Sequence, residues 1–220
     1  MKLLHKISNL IFPPKCTLCR SILQADETDL CHNCRKELSE HPDSSIKLPY
    51  LANWYALWYY EGNVRASLLR YKFHNARSYA KVYGRFLAMK LSQEPLEFDV
   101  LTWIPISTFR KWKRGYDQVQ LIAQAVGQEL SITPTVTLKK IRHNPPQSGL
   151  GDAPHRRANV LGVYKAVNPQ QFEGKRILLL DDIITTGATA GEASRVLLTA
   201  GAKEVYCAAI AAASNKRNEQ

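Results

Sequence analysis

Two adjacent carboxylates, Asp181 and Asp182, follow the aliphatic run 177–180 and precede Thr185, Thr186, Gly187, Ala188 and Thr189. An amphipathic run comes next, with Ala193, Val196, Leu197 and Ala200 on one side and Gly201 as its stop. The pattern predicts a buried strand, a turn and a helix, with the turn at the strand's carboxyl end. In an open α/β sheet that edge is where ligands bind. The first N–H groups of a helix lack partners and carry positive dipole character, so they attract phosphate. Gly187 and Ala188 let the backbone close around it, and the threonine hydroxyls can donate to its oxygens. A carboxylate only accepts hydrogen bonds, which suits Asp181 and Asp182 to vicinal sugar hydroxyls or to a hydrated Mg²⁺. Phosphate and diol together describe a ribose 5-phosphate.

Position by position, residues 177–189 resemble the phosphoribosyl pyrophosphate (PRPP) motif of the type I phosphoribosyltransferases. The resemblance implies that Asp181 and Asp182 hold the ribose hydroxyls and are the catalytic pair, with Asp182 the candidate base, and that Thr185 to Thr189 hold the 5-phosphate. A second apolar stretch, 100–106, leads into Ser107, Thr108, Arg110, Lys111, Lys113, Arg114 and Gly115, and then a helix over 117–130. Strand, basic loop and helix again make an anion site at a carboxyl edge. Arginine clamps phosphate oxygens bidentately and lysine supplies a point charge. Beside a ribose phosphate, Arg110, Lys111 and Arg114 are placed for the pyrophosphate of PRPP, with Mg²⁺ as its companion ion.

Cys16, Cys19, Cys31 and Cys34 form two C-x-x-C knuckles separated by a short linker, the spacing of a tetrahedral Zn²⁺ site. Four sulfurs close the coordination shell, so the metal is expected to fold the segment rather than catalyse. His32 lies inside the second knuckle and is not expected to ligate. Nothing suggests secretion, which argues against disulfides. Cys207, in the apolar run 205–210, reads as a buried small residue.

These sites need a scaffold. The aromatic run 53–60 reads as one or two core strands. Residues 62–90 carry seven basic residues and no acid, and their apolar spacing predicts two helices with basic faces outward. Such a face is either a nucleic-acid or phosphate track or a solvated surface. A strand is expected over 135–141. Residues 142–157, with His143, Asn144, Gln147, His155, Arg156 and Arg157 among prolines and glycines, are either a loop that closes over a ligand or a surface connection. Residues 37–47 read as a linker, 168–174 as a turn and 214–220 as a frayed tail.

The 220 residues can bury one full core and carry a small appendage. We expect an α/β domain over 48–220 with a mainly parallel sheet flanked by helices, preceded by a helix and zinc ribbon over 1–47. The opening segment, Met1 to Ile11, has an interrupted apolar face. It fits a docked helix better than a signal peptide or membrane span, with peripheral membrane contact as the alternative. The formal charge is +11, or about +9 once a zinc tetrathiolate is counted. That balance favours phosphate-rich partners without separating PRPP from nucleic acid or anionic lipid.

Taken in order, the four cysteines, Ile104-Pro105, Arg114-Gly115-Tyr116-Asp117-Gln118, Gln147, Arg156, Arg157, Asn159, Val160 and the 181–189 motif resemble the ComF family of competence-associated proteins and its GntX-like relatives. Asp117 stands where the resemblance has Asn. The family implies a cytoplasmic protein that supports single-stranded DNA uptake in natural transformation beside competence proteins such as a helicase-like ATPase. The sequence contains no G-x-x-x-x-G-K-[ST], so an ATP-driven motor must be a partner. Two readings stay open: a phosphoribosyltransferase with an unidentified acceptor, or a non-catalytic adaptor for DNA and proteins whose PRPP site is regulatory or vestigial.

Overall fold

The structure, a computed structural model, describes residues 13–38, 42, 46–142 and 161–214. The amino-terminal helix, most of the expected closing loop, Asn159, Val160 and residues 215–220 lie outside them.

Four strands form one sheet: β1 (Asn53–Tyr59), β2 (Val100–Trp103), β5 (Arg176–Ile184) and β6 (Glu204–Ala212). Their order is β1-β6-β5-β2 and every pairing is parallel. The two central strands have buried residues on both faces, and their near-continuous apolar runs are the mark of a sheet covered on both sides. β2 stops sooner than the apolar run suggested. Ile104 still donates to Leu180, but Pro105 has no N–H with which to continue the ladder. The expected strand over 135–141 shrinks to β3 (Leu138–Lys140), which pairs antiparallel with β4 (Tyr164–Ala166) as a separate hairpin.

One face of the sheet carries α2 (Gly62–Phe73), α3 (Tyr79–Leu91) and α5 (Gln118–Glu129), packed on Leu178, Leu180, Ala208 and Ile210. α3 and α5 touch closely: a Cβ on Gly84 would lie 2.4 Å from that of Ala125. The other face carries the β3–β4 hairpin and α6 (Ala188–Thr199), packed on Ile177, Leu179 and Cys207. Cys207 is fully buried, as its neighbours predicted.

The ribbon, with its short α1 (His32–Glu37), rides on α2 and α3. Cys16, Leu18, Leu23 and Leu30 join the same apolar cluster as Tyr71 and Tyr83. Ser67 on α2 donates to the Thr17 carbonyl at 2.7 Å, and its oxygen lies 2.6 Å from the Tyr83 hydroxyl. Arg70 also donates to the Thr17 and Leu18 carbonyls, and Arg85 pairs with Asp29 at 2.7 Å.

These contacts correct one expectation. The basic residues of 62–90 do not form a simple outward face. Arg70 and Arg85 hold the ribbon, Lys72 turns to the sheet edge, and Arg77 lies 4.7 Å from the Tyr116 ring. With Lys90 paired to Glu94, five of the seven cations have partners within the protein, although Arg77 and Arg85 stay exposed.

Candidate functional site

β5 runs through both acids and ends only at Ile184. Consecutive strand residues point to opposite faces, so Asp181 and Asp182 part company. Asp182 shares its side with Leu178 and Leu180, and therefore with α2 and α5. Asp181 shares its side with Ile177 and Leu179, towards the hairpin. Both are nearly buried, at 9% and 6% exposure.

Asp182 is heavily partnered. Lys72 Nζ lies 2.8 Å from its Oδ1. Gln118 Nε2 donates to its Oδ2 at 2.7 Å, and Arg114 donates in turn to the Gln118 side chain. Asp181 accepts the backbone N–H of Asp182 at 2.7 Å. Burial raises the Asp181 carboxyl above the ordinary range, and the neighbouring Asp182 charge adds to that. Lys140 at the end of β3 is close enough to oppose the shift. Its own ammonium sits 5.4 Å from the Tyr164 ring and is pushed down to about 8, by burial first and then by the Arg110 charge.

The threonine loop forms the turn between β5 and α6. Gly187 has φ +73°, the left-handed conformation that a residue without Cβ adopts freely, and it is the N-cap of α6. It has no side chain with which to satisfy the first N–H groups of the helix. A Cβ there would also lie 2.6 Å from Leu48, which packs over the turn. A shallow hollow opens at this point, lined by Asp181, Thr185, Gly187, Ala188 and Thr189 among others. The backbone N–H of Ala188 approaches the Thr186 hydroxyl at 3.4 Å. A wider open depression at the other end of α5, near Gln124, Gln128 and Thr133, has no titratable lining group and is remote from this chemistry.

Opposite the hollow, the basic segment folds as α4 (Thr108–Arg114), capped by the Ser107 hydroxyl and ended by Gly115 at φ +79°. Arg110 and Arg114 are its two partly buried residues, one turn apart; the others are exposed. Burial and the Arg114 charge lower the Arg110 pKa. Lys111 is exposed, and its charge reaches Asp117. Asp117 caps α5 by accepting the Val119 and Gln120 N–H groups, and its other oxygen accepts from Ile106. It thus ties the basic loop to the helix. Asn caps helices as readily, which explains how this position can hold either residue.

The structure therefore gathers Asp181, Asp182, Thr185 to Thr189 and Arg110 at one sheet edge. Lys72, Gln118, Lys140 and Tyr164 join them without having been singled out for the site. No local signal marks Lys72 or Lys140 in the sequence. Gln118 lay inside a quoted signature, but its partner is 64 residues away.

In the ribbon, the Sγ atoms of Cys16, Cys19, Cys31 and Cys34 all lie within 4.8 Å of one another, and none forms a disulfide. A tetrahedral zinc with Zn–S near 2.3 Å separates its sulfurs by about 3.8 Å, so the four thiols fit the ion. His32 instead faces Asp26 and Glu27 on the surface.

Residues 7–45 match the double zinc ribbon domain family, and residues 120–220 match the phosphoribosyl transferase domain family. Competence protein F of Haemophilus influenzae is 28% identical over 87% of this chain and 93% of its own length. Competence protein ComFC of Streptococcus pneumoniae is 30% identical over 86% of this chain and 84% of its own. The DNA utilization protein YhgH of Salmonella typhi is 30% identical over 50% of this chain and 48% of its own. With a ribbon and a phosphoribosyl transferase domain in this order, and relatives matched over most of both chains, the protein belongs to the ComF family.

Proposed function

We propose that this protein binds PRPP at the carboxyl edge of its sheet and supports the handling of incoming single-stranded DNA in natural transformation, on the cytoplasmic side of the membrane. The observation that carries the reading is the pairing of two strand–turn–helix units. Between them they face a buried acid pair and a glycine-capped helix start with a basic helix. The names of the relatives supply the biological setting. No described helix is long and apolar enough to cross a membrane.

In this reading Asp181 and Asp182 accept hydrogen bonds from the ribose hydroxyls. The N–H groups and hydroxyls of 185–189 hold the 5-phosphate. Arg110, Lys111 and Arg114 meet the pyrophosphate. Mg²⁺, bound with the ligand, would neutralise the leaving pyrophosphate if transfer occurs. Asp182 is the candidate base, but its carboxylate is now tied to Lys72 and Gln118. That pairing favours the second reading as well, in which PRPP is a regulatory ligand and the fold serves as an adaptor beside a helicase-like ATPase.

The test is calorimetric titration with PRPP and Mg²⁺, with and without single-stranded DNA. Saturable binding that weakens in Asp181→Asn and Asp182→Asn supports the site. Unchanged affinity in both variants refutes it. A PRPP affinity that shifts with DNA demonstrates coupled sites. Release of pyrophosphate with a candidate acceptor separates the enzyme from the adaptor.

A further inference from the structure

We infer that the outward side of α4, built on Trp112 and Phe109 with Lys113, is a stacking platform for single-stranded nucleic acid. The inference rests on the proposed role in DNA handling and gives that role an address.

α4 has two sides. Arg110 and Arg114 are one helical turn apart, partly buried and directed to the sheet edge, where Arg114 donates to Gln118. Phe109, Trp112 and Lys113 are at i, i+3 and i+4, the spacing of a second shared side. Trp112 is 82% exposed and Phe109 is 55% exposed. No residue of this helix is buried, so the core does not explain an indole there. A large aromatic ring held in water, as Trp112 is, is a standing cost that a partner removes.

Charge selects the partner. Residues 106–115 contain four cations and no acid. Beside them, at the end of α2, Phe73 is 65% exposed with the Arg114 guanidinium 5.3 Å from its ring centre. Aromatic rings alternating with cations match a polyanion that also presents π faces. A single strand does so. A duplex hides its base faces in the stack, and an acidic peptide offers charge without a regular supply of planar rings. On the basic helices Arg70 and Lys72 turn to the ribbon and to Asp182, whereas α4 keeps Lys111, Trp112 and Lys113 exposed side by side.

The molecule carries its own probe. Of its four tryptophans, Trp54, Trp58 and Trp103 are buried at 6%, 3% and 8% exposure, so surface quenching reports Trp112. The full-length zinc-loaded protein is titrated with oligo(dT) of about 15 nucleotides, with an abasic strand of the same length, and with duplex DNA. Oligo(dT) should quench the exposed emission and shield it from iodide. Trp112→Ala should weaken oligo(dT) binding about tenfold, the size of one lost base stack, and Trp112→Phe should restore most of it. The abasic strand and the duplex should bind the parent protein more weakly than oligo(dT) and lose little in Trp112→Ala.

PRPP titration of Trp112→Ala should match the parent, because Trp112 has no part in that site. If the parent binds no PRPP while the oligo(dT) results hold, the pocket reading fails and the platform stands. The platform is overturned if Trp112→Ala binds oligo(dT) like the parent, or if the abasic strand binds as tightly as oligo(dT). It is equally overturned if Trp112 proves to govern self-association in sedimentation and not DNA binding.

Discussion

Lys72 Nζ sits 2.8 Å from Asp182 Oδ1, with 18% and 8% of the two side chains exposed. The lysine comes from the helix whose Ser67 and Arg70 grip the zinc ribbon. One helix therefore touches the metal-binding segment at one turn and the acid pair at the next. The ribbon is thereby part of the scaffold that sets the charge at the candidate site.

Removing one partner of a buried ion pair leaves an uncompensated charge and costs roughly 3–5 kcal/mol. Lys72→Met should lower the unfolding free energy by about 3 kcal/mol. Adding Asp182→Asn to that variant should recover most of the loss. Urea denaturation of the four proteins in a double-mutant cycle measures the coupling. Strictly additive single effects would show that the pair contributes nothing.

Asp181 gives a pH dependence with a definite sign. Its carboxyl is raised in the folded protein, first by burial and then by Asp182. The folded state then holds a proton that the unfolded chain releases near pH 4. Its contribution is fully present below that value and is lost as pH rises towards the folded pKa. Asp181→Asn should therefore have little effect on the melting temperature at pH 4 and raise it at pH 8, flattening the profile between them. A parallel pair of profiles would contradict the shift.

Cys16 precedes Thr17, whose carbonyl receives the Ser67 hydroxyl. Cys16→Ser should reduce zinc from stoichiometric to trace in metal analysis and loosen the backbone at the already exposed Arg20 and Arg35 enough for trypsin to cut there. Chelation of the parent protein should give the same fragments. A parent protein that contains no zinc would refute the assignment of the ion.

Gly187 combines a left-handed φ of +73° with a 2.6 Å approach to Leu48 by any added Cβ. Gly187→Ala should cost about 1–2 kcal/mol from the backbone alone, and it should weaken PRPP binding by displacing the N–H groups at the start of α6. Leu48→Ala in the same chain relieves the clash but not the dihedral, so thermal melts should show partial recovery. Full recovery would place the whole cost in the clash.

Much of this protein was legible from local pattern. The run 177–189 predicted strand, turn and helix because the aliphatic period, the acids and the glycine all act within a few residues. The cysteine spacing predicted the tetrathiolate for the same reason, since two short knuckles bring their own ligands together. The parallel sheet followed from apolar runs too continuous for a half-exposed strand.

The tertiary structure decided what is set by distant partners. Only the alternation of β5 between two packed layers sends Asp181 towards Lys140 and Tyr164 and Asp182 towards Lys72 and Gln118. Only the docking of the ribbon draws Arg70 partly inward and pairs the still exposed Arg85 with Asp29. Only the turning of Arg110 and Arg114 towards the sheet edge leaves Trp112, on the other side of α4, in water. Periodicity states which residues share a side of an element. Which side is covered, and by what, depends on contacts between residues far apart in the chain.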